Sequence, residues 1–172
     1  MSTDKSFSKV PRLFRNYVSS FFQFLKDKLR GEILSVILYG SIARKNWKRE
    51  SDVDLLLIVS NKFIEKYESS KISQLTIHFY NEIFGSELYD MMKFHPLSIL
   101  TLTKKQTKRF RTLFYDIAMD GIILYDPKNI GSKLIEKYKK RIKNKGLKRI
   151  YVENDNFYWK RKDVKTGEII EL

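Results

Sequence analysis

Apolar residues recur at helical spacing near the start of the chain. Over residues 7–30 they are separated by three or four positions, at Phe14, Val18, Phe21, Leu25 and Leu29. This spacing places them on one face of a helix, which then packs against a core. Gly31 predicts the end of that helix. We interpret the stripe as core, not as a cofactor-binding surface.

Two short apolar segments after Gly31 have the β-branched composition of strands. We predict strands over 33–38 and 52–59, joined by a turn at Tyr39–Ser41, a short helix over 42–47 and a polar loop. Residues 88–92 match neither pattern. The remaining periodicities predict a helix over 61–84, weakened at Ser69-Ser70, and a strand over 97–102. They also predict a helix over 104–119 capped by Thr103, a strand over 122–125 and a helix over 128–145.

A strand-like pattern returns at the end of the chain, over 148–152, 157–160 and 168–172. Turn-forming sequences separate these segments, Asn154-Asp155-Asn156 and Lys165-Thr166-Gly167. The pattern predicts a small C-terminal β unit.

Composition narrows the chemistry. The 172 residues include no cysteine and only two histidines, which excludes disulfides, thiolate catalysis and cysteine- or histidine-based metal sites. A catalytic metal would therefore sit on oxygen ligands, as Mg²⁺ and Mn²⁺ do. Because no apolar run is long enough to cross a membrane and no signal-peptide pattern begins the chain, we expect a soluble, cytoplasmic protein without a membrane partner.

Positive charge is concentrated in one part of the chain. The formal net charge is +14, and residues 101–150 hold 15 Lys/Arg against 4 Asp/Glu, a local net charge of +11. Such an excess predicts affinity for nucleotides or nucleic acid. The alternative is a set of solvated helix faces in a lysine-rich protein, since no aromatic–basic RNA motif accompanies the charge.

Asp52 and Asp54 are two residues apart at the start of the second predicted strand. Side chains two apart on a strand project from the same face, so the two carboxylates lie together. Adjacent carboxylates repel each other and are costly to bury unless a cation joins them. The pair predicts a site for Mg²⁺ bound with a substrate phosphate.

Gly40 and Ser41 end the first predicted strand and open the short helix. Glycine lets the backbone approach a ligand closely, and a helix start offers free N–H groups to a phosphate. Ser41 adds a hydroxyl, and Arg44 with the basic residues after it would neutralise further phosphate charge. A phosphate-binding turn beside a metal site suits phosphoryl or nucleotidyl transfer.

The stretch from Leu38 to Val59 resembles the nucleotidyltransferase superfamily that includes DNA polymerase beta, poly(A) polymerase and kanamycin nucleotidyltransferase. It is most similar to the minimal nucleotidyltransferases of archaea and bacteria, whose pattern is Gly-Ser, about ten residues, and Asp-x-Asp. Residues 116–127 and 148–172 are also similar to the downstream part of a crenarchaeal-type family of such proteins.

The resemblance implies an α+β nucleotidyltransferase fold, a mixed β-sheet of at most five strands flanked by helices, with the C-terminal β unit attached. We expect the nucleotidyltransferase domain to span 1–127, and the basic helix and β unit of 128–172 to pack on it. The resemblance assigns catalysis and metal binding to Asp52 and Asp54, and nucleotide binding to Gly40, Ser41 and Arg44.

The resemblance also implies a third carboxylate on a later strand, where it completes the metal site. The matching strand over 97–102 contains no acid, and Ser98 stands where the acid is expected. Asp90 and Glu87, upstream, are the candidates to replace it. This departure predicts slow transfer unless one of them reaches the site.

The predicted function is metal-dependent transfer of a nucleoside monophosphate from an NTP to a hydroxyl on protein, RNA or a small molecule, with Mg²⁺ or Mn²⁺ as cofactor. Minimal family members often form toxin–antitoxin pairs with an α-helical partner, and the resemblance implies such a partner here. The alternative is a weakly active or inactive module that binds nucleotide or nucleic acid, or an antitoxin that acts by contact with an α-helical partner.

Overall fold

Four strands form the central sheet in the computed structural model, which describes residues 6–67, 70–152 and 156–161. Their spatial order is β3-β2-β1-β4, and only the β2–β3 pair is parallel. The two middle strands are apolar on both faces because helices cover both sides of the sheet. The strands are β1 (Ile33–Tyr39), β2 (Val53–Val59), β3 (Leu97–Thr103) and β4 (Ile122–Tyr125).

Helices cover both faces of this sheet. One core joins α1 and α4 to side chains such as Leu38 and Leu57. The other joins α6 and α7 to the opposite face of the same strands, through Ile37 and Leu56. The helices are α1 (Arg12–Lys28), α2 (Gly40–Arg44), α3 (Phe63–Lys66), α4 (Lys71–Glu82), α5 (Glu87–Phe94), α6 (Leu113–Asp120) and α7 (Ile130–Asn144), with a 3₁₀ turn at Gln106–Lys108.

A separate antiparallel hairpin, β5 (Leu147–Tyr151) with β6 (Phe157–Arg161), follows α7. The predicted α+β class is therefore confirmed, with its mixed sheet, flanking helices and C-terminal β unit. The third predicted terminal strand, over 168–172, lies outside the described residues, and the division of the chain at residue 127 stays a prediction. No helix among the described residues is long and apolar enough to span a membrane.

The predicted helix over 61–84 is wrong at its centre. The chain becomes extended at Tyr67, with φ −130° and ψ 148°, and α4 begins only at Lys71. The Tyr67 ring packs against Phe63 with centroids 5.0 Å apart, and the serine that precedes α4 favours a turn over a helix interior.

The predicted helix over 104–119 is also wrong in its first half. Arg109 is extended, with ψ 142°, because the next residue, Phe110, turns inward to stack on Tyr138 at 6.3 Å. Three smaller differences concern boundaries: α1 begins after Pro11 and not at residue 7, the helix predicted over 42–47 is α2, and residues 88–92 are helical within α5.

Candidate active site

The register of the sheet brings the two predicted carboxylates to one edge. Asp54 lies near the start of β2, opposite Tyr39 of β1 and Ser98 of β3. Asp52 lies just before the strand and is exposed, whereas Asp54 is half-buried. Val53, between them, points into the core and is fully buried. The alternation of the strand therefore directs both carboxylates away from the core.

Opposing influences act on the Asp54 carboxyl. Burial raises its pKa, and the neighbouring charge of Asp52 raises the pKa further. A hydrogen bond from the Ser98 hydroxyl and the positive charge of Arg44 lower the pKa. In turn, burial and the Asp54 charge raise the pKa of Tyr39 to about 12. The net upward shift for Asp54 means that its ionised form lacks sufficient compensation from the protein, which a bound cation would supply.

Gly40 is in direct contact with Asp54. It adopts φ +73°, which favours glycine. A Cβ atom added there would lie 2.0 Å from Oδ2 of Asp54 and 2.9 Å from its Cγ. No side chain fits in that space, so the glycine allows the turn and the carboxylate to lie against each other. Ser41, half-buried, follows in α2.

Arg44 lies between Asp54 and the C-terminal hairpin. Its charge lowers the pKa of both Asp54 and Asp116. Its Cζ stands 5.2 Å from the ring centroid of Phe157, and its buried Nε has no hydrogen-bond partner among the described residues. A buried donor without a partner is costly, and a phosphate oxygen would be a suitable acceptor.

Ser98 stands at the position predicted for a third acid. It is the residue of β3 that pairs with Asp54, and its hydroxyl bonds to that carboxylate. Asp90 instead binds Lys93 on α5, with Oδ1 3.0 Å from Nζ, and Glu87 is exposed in the first turn of the same helix. Neither is among the groups that shift the pKa of Asp54. The structure thus places Ser98, but not the two substitute candidates, beside the site.

A second cluster of side chains lies near Arg44, and the sequence alone did not reveal it. Asp116 accepts a hydrogen bond from Nε1 of Trp159 at 2.8 Å, and Arg149 binds Asp120 at 2.7 Å. The Arg149 guanidinium also lies 4.2 Å from the Phe157 ring centroid. Phe157 is therefore close to both Arg149 and Arg44. The residues come from separate parts of the chain, and no local spacing signals their contact.

The donor set fits a divalent metal that shares its coordination with a substrate. Asp52 and Asp54 provide hard oxygen ligands, of the kind that Mg²⁺ and Mn²⁺ prefer. Among residues 6–67, 70–152 and 156–161, no cluster of three Asp, Glu, His or Cys side chains could hold a metal alone. Mg²⁺ commonly uses one or two carboxylates together with phosphates and water, so two carboxylates are sufficient for that mode.

Comparison with known proteins identifies the family. A model described as "Nucleotidyltransferase domain" matches residues 18–170. The chain is similar to a protein of Methanocaldococcus jannaschii named "Putative protein adenylyltransferase", with 26% identity over 153 residues, 89% of this chain and 97% of that protein. A second protein of that organism with the same descriptive name is 44% identical over 41 residues, which span 24% of this chain and 41% of the relative.

Two solved structures share a weaker likeness. One is a toxin–antitoxin with AMP-PNP, at 12% identity and a TM-score of 0.47, covering 75% of this chain and 86% of that one. The other is a tri-AMPylated HEPN toxin of Shewanella oneidensis in complex with MNT antitoxin, at 10% identity and a TM-score of 0.43, covering 76% and 91%. The assignment does not depend on either. Because the family model spans most of the sequence, the chain belongs to the nucleotidyltransferase domain family and is an enzyme of the nucleotidyltransferase class.

Proposed function

We propose that this protein transfers AMP from ATP to a hydroxyl group of a protein. The observation that carries the proposal is the contact between Gly40 and Asp54, because the candidate phosphate-binding turn then lies directly against the candidate metal ligand. Similarity to a protein named as a protein adenylyltransferase, over 89% of this chain, supports ATP as donor and protein as acceptor. The α-helical partner implied by the family resemblance is a candidate acceptor.

The reaction exchanges one phosphorus–oxygen bond for another. The acceptor oxygen attacks the α-phosphorus of ATP, the bond from that phosphorus to the bridging oxygen of the β-phosphate breaks, and pyrophosphate leaves. The acceptor hydroxyl loses its proton to solvent. Gly40 and Ser41 would hold the outer phosphates at the start of α2, and Arg44 would neutralise their charge. These residues serve mainly to position ATP, which accounts for much of catalysis in phosphoryl-type transfers.

Asp52 and Asp54 would hold Mg²⁺ or Mn²⁺, which supplies charge neutralisation at the phosphates when bound. Their own roles follow from their surroundings. Asp54, half-buried and in contact with Gly40, fixes the site relative to the turn. Asp52, exposed, completes the carboxylate pair from the solvent side.

Ser98 limits the rate that we expect. An acceptor hydroxyl is a poor nucleophile at neutral pH, and a general base that removes its proton contributes typically about 10²–10⁴-fold in rate. A neutral serine hydroxyl is a weak base and a weak metal ligand. We therefore expect the protein to bind ATP and to transfer AMP slowly. Without measurable transfer, the protein would be a nucleotide-binding module.

The test uses four α-labelled NTPs, each incubated with Mg²⁺, the purified protein and extract of the cells that produce it. Labelled products are then digested separately with protease and with ribonuclease. We expect added protein to increase the label from ATP in protease-sensitive material above that of extract alone, and we expect no increase with a protein that carries Asp52→Asn and Asp54→Asn. Label in ribonuclease-sensitive material would instead identify RNA as acceptor, and label that persists in the double variant would refute the assigned site.

A further inference from the structure

Two connected grooves along α7 are lined mostly by basic side chains. Five lysines line the first groove, between α7 and the segment that follows β3: Lys104, Lys108, Lys128, Lys133 and Lys137. The second groove shares Lys133 and Lys137 and continues along the helix to Lys140, Arg141 and Lys145. We name these eight residues the lysine track.

The charge of the first groove is not compensated. In the part of the chain that the structure describes, none of its five lysines forms an ion pair. Asp126, close in sequence, instead caps α7 by accepting hydrogen bonds from Gly131 N and Ser132 N at 3.0 and 2.8 Å. In the second groove Glu136 binds Lys140 at 2.8 Å. Clustered cations without counter-charges create a positive potential that attracts polyanions.

The dimensions suit a repeating anion. The 15 residues of α7 extend the track over roughly 21 Å at 1.5 Å per residue. The three phosphates of a nucleoside triphosphate cover only part of that length, whereas a polynucleotide carries phosphates along all of it. Lysine ammonium groups bind phosphate as point charges, without the fixed planar geometry of an arginine fork. A row of such charges matches a phosphodiester backbone, which carries one negative charge per nucleotide.

We propose that the lysine track binds the phosphodiester backbone of nucleic acid at a site separate from the carboxylates. The backbone N–H of Lys104 bonds to the carbonyl of Val59 at 3.0 Å, so the first groove begins at the far end of β2 from Asp54. The five residues of strand from Asp54 to Val59 separate the groove from the carboxylates by roughly 17 Å. This binding function goes beyond the proposed transfer reaction and does not depend on it.

The test is an anisotropy titration of the full chain with a fluorescein-labelled, mixed-sequence, single-stranded RNA of about 20 nucleotides, at several salt concentrations. Each phosphate contact contributes a slope of about −0.7 to log K against log salt, so five contacts give about −3.5. Lys133 and Lys137 lie in the part shared by both grooves. Their joint replacement, Lys133→Gln with Lys137→Gln, should make the slope less steep by about 1.4 and lower the affinity about 25-fold at 0.1 M salt.

Lys139→Gln with Lys143→Gln is the matched control, because both residues are exposed on α7, lie outside the two grooves and remove the same charge. We expect this control pair to change affinity less than about threefold, since neither side chain lines a groove and no phosphate contact is lost. Circular dichroism verifies that both proteins keep their helices. Equal losses in the two pairs, binding insensitive to salt, or equal competition by a polyglutamate peptide would overturn the proposal. The Asp52→Asn, Asp54→Asn protein should bind RNA normally, and loss of binding there would also overturn it.

Discussion

Substitution of Gly40 by alanine separates the contact with Asp54 from ordinary backbone strain. Three glycines have nearly the same left-handed conformation, with φ of +73° at Gly40, +78° at Gly31 and +77° at Gly85. An added Cβ meets nothing within 4 Å at Gly31 or Gly85, but lies 2.0 Å from Oδ2 of Asp54 at Gly40. The two open positions therefore serve as matched controls for the cost of the φ angle alone.

Strain alone has a modest effect. A non-glycine residue in the left-handed region costs about 1–2 kcal/mol. For a chain of this size each kcal/mol lowers the melting temperature by about 2–4 °C, so Gly31→Ala and Gly85→Ala should each lower it by roughly 2–8 °C. Both controls should keep the response to MgATP, because neither residue contacts the site.

Gly40→Ala carries the same strain and also displaces the Asp54 carboxylate. Loss of the groups that position a metal ligand typically costs about 10–100-fold in metal affinity. At a ligand concentration of about 100 Kd, binding stabilises the wild-type protein by about 2.7 kcal/mol, and a 100-fold weaker Kd leaves about 0.4 kcal/mol. The MgATP-induced rise in melting temperature, measured by scanning fluorimetry, should thus fall from roughly 5–11 °C to 1–2 °C. A Gly40→Ala protein that responds like the two controls would refute this reasoning.

Other perturbations of the same site give further predictions. Asp52→Asn with Asp54→Asn should abolish the MgATP-induced rise in melting temperature, and a persistent rise would argue against these ligands. Because the folded-state pKa of Asp54 is raised, its protonated form stabilises the fold, and this part of the free energy of unfolding is lost as pH rises through that pKa. Asp54→Asn should flatten the decline in the free energy of unfolding with pH, measured by denaturant titration. An unaltered pH profile would contradict this prediction. Ser98→Asp should accelerate single-turnover transfer by up to about 10²–10⁴-fold, and an unchanged rate would exclude the third-acid role. Phe157→Leu should weaken ATP binding about two- to fivefold by releasing Arg44, whereas Tyr158→Ala, exposed on the same strand, should leave the Kd unchanged.

The strands were predictable because each one is a short, predominantly apolar run of residues in the sequence. All four strands of the sheet were predicted to within a residue at each end, since each apolar run is bounded by turn-forming or polar residues. The helix predicted after Thr103 had a genuine start signal, because Thr103 and Gln106 exchange side-chain hydrogen bonds with each other's backbone N–H at 3.2 and 2.8 Å. That signal opens only one 3₁₀ turn, since packing of Phe110 against Tyr138 redirects the chain.

Some contacts of the candidate site could be predicted from the sequence, and others could not. The Gly40–Asp54 contact could be anticipated because Gly40 directly follows β1, and Asp54 lies on the antiparallel neighbour β2 after a short connection. Long-range packing, by contrast, brings Phe157 and Arg149 near Arg44 from more than 100 residues away. Their pairing depends on how the hairpin docks, which no local pattern encodes. The family resemblance placed Ser98 at the third-acid position, and the register between β2 and β3 shows that it pairs with Asp54.

The most direct test of the central claim compares ATP labelled at the α-phosphate with ATP labelled at the γ-phosphate. Each is incubated with Mg²⁺, the purified protein and extract of the producing cells, and protein-bound label is measured over time. Nucleotidyl transfer predicts that the added protein increases the α-label in protein above that of extract alone and adds no γ-label, and that the Asp52→Asn, Asp54→Asn variant adds neither. An increase in γ-label would show phosphoryl transfer instead, and an equal increase in α-label with the double variant would show that the reaction does not use this site.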